Sequence, residues 1–90
     1  MSGDRMWGDY RIRAYVAGAR MPGDYTAVEW RRTRAGVDAA VDRCATWRVA
    51  RKRVLALEVQ GPRDEVYWLT WDGSDFVRTR EPSWPLREAT

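Results

Sequence analysis

One segment of this chain repeats its apolar residues with the period of a helix, while the segments before and after it alternate with the period of a strand. Within 35–47 the apolar side chains recur at helical spacing, as Val37, Ala40, Val41, Cys44 and Trp47. Such a stripe packs against a single surface, and an alternating strand buries a single face. The pattern therefore predicts a small two-layer α+β domain in which one main helix covers one face of an antiparallel sheet.

The strand candidates number five, and turn residues separate them. The first, over 10–16, places Ile12 and Ala14 on one face and Arg11 and Arg13 on the other. Pro22-Gly23 suits a type II turn and Asp72-Gly73 suits a hairpin. The sequence therefore predicts the order β-β-α-β-β-β and a sheet of four or five strands, at 10–16, 25–32, 53–60, 65–71 and 76–80.

The segment 25–32 has two interpretations. As a strand it turns Thr26, Val28 and Trp30 to one face, whereas as a helix it aligns Trp30 with Val37. Its β-branched and aromatic content favours the strand. The alternative order, β-α-α-β-β-β, is also that of small ribosome-dependent or gyrase-directed toxins, but the chain carries no residue motif of that family.

Length and composition predict a single domain with two flanking segments. We expect an N-terminal segment over 1–9, the α+β domain over 10–80, and a proline-containing C-terminal tail over 81–90 that lies on the sheet. No apolar run approaches the length of a membrane span, and the N-terminus has no apolar core of a signal peptide. A cytoplasmic protein is the expectation.

The residue types argue against catalysis. The chain has no histidine, which removes the commonest general base and metal ligand. Cys44 therefore has no histidine to activate it, and its place in the helical stripe predicts a buried thiol. Asp64-Glu65 and Asp72 with Asp75 fall in predicted turns, where aspartate bonds to the backbone. We expect no enzymatic activity, no cofactor and no metal.

Arginine outnumbers lysine fifteen to one, and this bias has two explanations. Arginine suits bidentate recognition of phosphate or carboxylate. It is also abundant wherever the coding DNA is rich in GC, which would suit a GC-rich bacterium or its phage.

The aromatic residues predict a partner-binding surface. A two-layer domain covers one face of its sheet, and the alternation over 65–71 puts Tyr67 and Trp71 on one face and Trp68 on the other. One aromatic set is then open to a partner unless other residues cover it. The predicted binding residues are Tyr67, Trp68 and Trp71, with Arg11, Arg13 and Arg78 at the rim. Alternatively, Trp7, Trp30 and Trp84 close over that face and complete an aromatic core.

The leading functional hypothesis is therefore a non-catalytic, regulatory protein that binds a protein partner, of the kind a phage encodes. A homodimer through the same face, or through the edge strand over 76–80, is a variant of this hypothesis. The alternative is a nucleic-acid-binding protein that uses arginine clusters on both sides of the helix. Those cations are Arg31, Arg32, Arg34, Arg48, Arg51, Lys52 and Arg53.

Overall fold

A single helix lies on one face of an antiparallel sheet in the computed structural model, which describes residues 9–49 and 51–88. The α+β two-layer class predicted from the sequence is confirmed. In chain order the elements are β1 (Tyr10–Val16), β2 (Ala27–Arg31), α1 (Arg34–Cys44), β3 (Arg48–Val49), β4 (Lys52–Gln60), β5 (Val66–Trp71) and β6 (Phe76–Thr79).

The strands follow the order β2-β1-β4-β5-β6 across the sheet, and every pairing is antiparallel. The pairs β1–β2, β3–β4, β4–β5 and β5–β6 join strands that follow each other in the chain. The remaining pair, β1–β4, joins strands that are separated in the chain by β2, the helix and β3. The nine-residue β4 is central and also pairs with the two-residue β3. The sequence predicted the five strands of the main path but not β3.

The segment that had two interpretations is a strand. Ala27–Arg31 pairs with β1, with Trp30 opposite Arg11 and Val28 opposite Arg13. The order with two consecutive helices is therefore wrong. The turn that leads into it is of the predicted type, since the Asp24 N–H donates to the Met21 carbonyl at 3.1 Å and Gly23 has a φ of 97°.

The helix ends three residues earlier than the apolar spacing predicted. Thr33 caps its N-terminus, where its side-chain oxygen accepts from the Gly36 N–H at 3.0 Å. After Cys44 the chain turns, because Arg48 and Val49 must be extended to pair with Arg53 and Lys52. Trp47 still packs against the helix-side core, but from the turn.

The sheet has a hydrophobic core on each face. The helix-side core is formed by buried residues of α1, β1 and β4, namely Ile12, Ala14, Val16, Val37, Ala40, Cys44, Val54, Leu57 and Val59. The opposite core is formed by Tyr15, Ala19, Leu55, Ala56, Trp68 and Leu86. The C-terminal end of the chain covers this opposite core, because Leu86 belongs to it and Trp84 packs against it.

The segment predicted as a C-terminal tail over 81–90 packs on the sheet through Trp84 and Leu86. Leu86 forms two backbone hydrogen bonds of 2.9 Å, one to Gly18 and one to Ala19, and is 7% exposed. The Trp84 ring lies 5.5 Å from the ring of Tyr15 and 5.8 Å from that of Trp68. The tail therefore packs as part of the same core. Of the predicted N-terminal segment, residues 1–8, which include Trp7, lie outside the described residues.

Candidate functional site

The sheet face opposite the helix is only half covered by the tail. Its other half presents six side chains from four neighbouring strands, which we call the open face: Arg11, Arg13, Val28, Trp30, Gln60 and Val66. The register places Trp30, Arg11, Gln60 and Val66 in one row across β2, β1, β4 and β5. Residues opposite each other in antiparallel strands share a face, so this row is one continuous surface.

Large apolar side chains are exposed on the open face. Val28 is 42% exposed, Trp30 is 40% exposed and Val66 is 49% exposed. Isolated exposed apolar residues are ordinary on protein surfaces, whereas adjacent ones that form a patch mark interaction sites. Val28 and Trp30 are neighbours on β2, opposite Arg13 and Arg11 of β1, whereas Val66 lies on β5 at the other end of the row that contains Trp30.

The guanidinium of Arg13 is held in place from two sides. It lies 3.5 Å from the Glu58 carboxylate and 4.7 Å from the centroid of the Tyr25 ring. The Tyr15 hydroxyl donates to the same carboxylate at 2.8 Å and accepts from the Gly23 N–H at 2.9 Å. Burial raises the pKa of Tyr15, so its hydroxyl stays protonated at neutral pH and keeps donating. This network fixes a cation at the centre of the open face.

Two polar atoms of the open face lack a hydrogen bond within the part of the chain that the structure describes. They are Nε of Arg13 and Oε1 of Gln60, and both are buried. A buried polar atom without a partner costs free energy, which a ligand or a water molecule can recover.

The six residues predicted to bind a partner do not form one surface. Arg11 and Arg13 belong to the open face, whereas Trp68 is 8% exposed and packs under the tail as part of the core. Tyr67 and Arg78 lie on the helix side, where the Arg78 guanidinium is 4.2 Å from the Tyr67 ring centroid. Trp71 is half-buried, with the Arg53 guanidinium 4.5 Å from its ring centroid.

Sequence reasoning missed four residues of the open face, namely Val28, Trp30, Gln60 and Val66. The alternation over 25–32 did place Val28 and Trp30 on one side of a strand. Val28 and Trp30 share a face with Gln60 and Val66 only because β1 pairs with both β2 and β4. No local sequence pattern predicts the pairing of β1 with β4. The alternative considered from the sequence instead placed Trp30, with Trp7 and Trp84, over the aromatic side chains of the sheet.

The arginine clusters before and after the helix remain apart. The first is at the start of α1 and the second is around the β3–β4 hairpin, so a helix of about 16 Å separates them. Several of these cations already have partners. Arg31 forms an ion pair with Glu29, the Arg53 guanidinium donates to the Ala45 carbonyl at 2.7 Å, and Lys52 donates to the Ala17 carbonyl at 3.4 Å. Arg32, Arg34, Arg48 and Arg51 are exposed.

The carboxylates that the sequence placed in turns lie in turns. The Asp72 carboxylate accepts from the N–H groups of Ser74 and Asp75, both at 2.8 Å. These bonds favour the ionised form and lower the pKa of Asp72. Asp64 adopts a positive φ of 60° in the turn between β4 and β5. Within residues 9–49 and 51–88 no three potential metal-ligating side chains come together, and no helix is long and apolar enough to cross a membrane.

Cys44 is buried in the helix-side core, and we expect it to be unreactive in the folded protein. Burial raises the pKa of its thiol to about 11. At pH 8, reaction with Ellman's reagent should be about 100-fold slower in the folded protein than in urea, from the smaller thiolate fraction alone. The Cys44 thiol ionises at a lower pH in the unfolded chain than in the folded protein. Its contribution to the free energy of unfolding should therefore disappear as the pH rises from about 9 to about 11. Cys44→Ala should lack that loss. Equal reaction rates in the folded and unfolded states would show that the thiol is accessible.

Comparison of this chain with protein-family models, with curated proteins and with solved structures finds no match. The function must therefore be argued from the geometry of the site.

Proposed function

We propose that this protein is a non-catalytic binding protein that docks a protein partner on the open face. The observation that carries the proposal is the exposure of Val28 and Trp30 side by side on β2, next to the arginines of β1, with the exposed Val66 farther along the row of Trp30 on β5. Tryptophan and arginine are the residues most enriched at binding hot spots. A rigid sheet presents them without the cost of ordering a loop on binding.

The charge of the open face specifies the partner's chemistry. Arg11 and Arg13 place two guanidinium groups on the open face, and the Glu58 carboxylate offsets the charge of Arg13. A partner with acidic side chains next to apolar ones complements this surface.

The shape of the open face favours a protein over a single-stranded nucleic acid. Nucleic acid bound to a sheet stacks successive bases on neighbouring aromatic rings. Among the described residues only Trp30 and Tyr25 are exposed aromatics, and the Tyr25 ring already lies against Arg13. The neighbour of Trp30 along β2 on the open face is the aliphatic Val28, which suits an apolar side chain of a protein.

The test compares proteins captured by wild-type and variant baits from a lysate of the source organism, with and without nuclease treatment. A Val28→Ala/Trp30→Ala bait should lose the partner by about 30-fold, because a hot-spot residue contributes about 2 kcal/mol or more. The matched control is Met21→Ala/Val77→Ala, which removes two exposed apolar side chains elsewhere, at 60% and 39% exposure, and should retain the partner. Circular dichroism checks that both variants are folded.

Two outcomes would overturn this proposal. One is capture that is equal for the wild-type and the Val28→Ala/Trp30→Ala baits. The other is capture that depends on nucleic acid and weakens steeply with salt. The second result, with loss on substitution of Arg48 or Arg51, would establish the nucleic-acid alternative.

The biological setting that we propose is a cytoplasmic accessory or regulatory role, encoded by a phage or a GC-rich bacterium. The support is compositional, since arginine replaces lysine at fifteen of sixteen basic positions. The small size and the absence of histidine agree with regulation by binding rather than by catalysis.

A further inference from the structure

The helix covers only part of its own sheet face, and a groove remains between α1 and the hairpin of β5 and β6. The groove has a volume of about 340 Å³. An α-helix is about 10 Å wide and strands are about 4.8 Å apart, so one helix spans little more than two of the five strands. Apolar side chains from both walls line the groove, namely Val37, Val41, Leu69 and Phe76.

Two guanidinium groups and a phenol also line this groove. The Arg78 guanidinium lies 4.2 Å from the centroid of the Tyr67 ring, and Arg34 is close enough to Tyr67 that its charge acts on the hydroxyl. Among the described residues neither Arg34 nor Arg78 forms an ion pair with a carboxylate, unlike Arg13, Arg31 and Arg43. The Arg34 guanidinium also hydrogen-bonds to the Tyr10 side chain, so an anion between the two arginines would share Arg34 with that phenol but would not have to displace an ion pair.

The hydroxyl of Tyr67 is a donor under ordinary conditions. Burial raises its pKa, so the hydroxyl is protonated at neutral pH. Arg34, Arg78 and Tyr67 therefore all present N–H or O–H donors, the arrangement that a carboxylate with several lone pairs accepts from.

The helix wall of the groove adds acceptors. Asp38 and Asp42 follow Arg34 at intervals of four residues, which places all three on one ridge of the helix. The wall is thus cationic at the start of α1 and anionic along the following two turns. An apolar acid would contact only the cationic end of this wall, whereas a peptide has backbone N–H groups next to its terminal carboxylate, from which the exposed aspartates can accept.

We propose that this groove binds the C-terminal end of an extended peptide whose last residue is bulky and apolar. The terminal carboxylate accepts from Arg34, Arg78 and the Tyr67 hydroxyl, and the last side chain packs on Val41, Leu69 and Phe76. Backbone N–H groups of the peptide face Asp38. The volume is near the lower limit of ligand sites and suits one side chain with its backbone. This site is on the opposite side of the sheet from the open face, so it does not depend on the function proposed above.

The probe is a hexapeptide that carries an N-terminal fluorescein and ends in phenylalanine with a free carboxylate, titrated by fluorescence anisotropy. Its C-terminal amide should bind about tenfold or more weakly, since a hydrogen bond to a charged group contributes about 1.5–3 kcal/mol. Arg78→Gln and Arg34→Gln should each weaken the acid by a similar factor, with little effect on the amide. Tyr67→Phe should weaken the acid by a smaller factor.

Two controls separate this site from general charge and from the open face. Arg63→Gln removes an exposed arginine from the turn between β4 and β5 and should leave affinity unchanged. Val28→Ala/Trp30→Ala, which tests the other proposal, should also leave it unchanged. Thermal unfolding checks that all variants are folded.

Three results would overturn the peptide site. They are equal binding of the acid and the amide, an equal loss with Arg63→Gln and with Arg78→Gln, and binding of 3-phenylpropionate as tight as that of the peptide. The last result would show a site for small carboxylic acids, in which the peptide backbone contributes nothing.

Discussion

Replacement of Trp68 by alanine should destabilise the protein by about 3–5 kcal/mol, the range for large-to-small substitution of a buried aromatic residue. Trp68 is 8% exposed and lies in the core between the sheet and the tail. Its ring centroid is 5.5 Å from that of Tyr15 and 5.8 Å from that of Trp84, so the substitution removes two ring contacts together with the buried area. Urea denaturation followed by far-UV circular dichroism measures the loss.

A matched tryptophan on the open face shows that burial is the cause. Trp30→Ala removes the same ring from a position that is 40% exposed, and we expect a loss of about 1 kcal/mol or less. Proteins of this size have a free energy of unfolding of about 5–10 kcal/mol, so Trp68→Ala should leave a marginal fold whereas Trp30→Ala should not. If both variants lost the same stability, the division of this face into a covered and an open half would be wrong.

Truncation of the chain after Ser83 should have an effect of similar size. It removes Trp84 and Leu86, and with them both hydrogen bonds that tie Leu86 to Gly18 and Ala19. Burial of a leucine contributes about 1.5–3 kcal/mol, and loss of the tail also exposes the rings of Tyr15 and Trp68 to water. We expect a loss of about 4–6 kcal/mol, measured in the same urea experiment.

A chain that ends at Glu88 is the control for shortening, because it keeps Trp84 and Leu86 together with the rest of the tail that the structure describes. It should be as stable as the full chain. Leu86→Ala should lie between the two, at about 2–3 kcal/mol. A truncation after Ser83 that retained full stability would show that the tail is an addition to a complete domain.

Most secondary structure could be predicted from local patterns. The first strand was predicted with its observed bounds, because its alternation is uninterrupted from Tyr10 to Val16. The helix was predicted with the correct buried stripe of Val37, Ala40 and Cys44 but with three residues too many. Its true end depends on the pairing of β3 with β4, which competes with the helix for the backbone after Cys44.

The candidate site could be predicted only in part, and Tyr67, Trp68 and Trp71 show why. Alternation correctly placed Tyr67 and Trp68 on opposite faces of β5. Whether either ring is exposed depends on what lies above it, and Trp84 arrives there from a distant part of the chain. The open face was missed because its members come from four strands whose neighbours are set by register rather than by sequence distance.

By itself the sequence determined the fold class, because periods of two and of 3.6 residues are properties of neighbouring residues and need no knowledge of the rest of the chain. It also determined that Cys44 is a core residue and that the carboxylates of Asp72 and Asp75 lie in a turn. Only the tertiary structure decided which half of the sheet is covered and which residues form the open face. The physical reason is that these depend on contacts between residues far apart in the chain, such as Trp84 on Trp68 and β1 beside β4, which local periodicity does not encode.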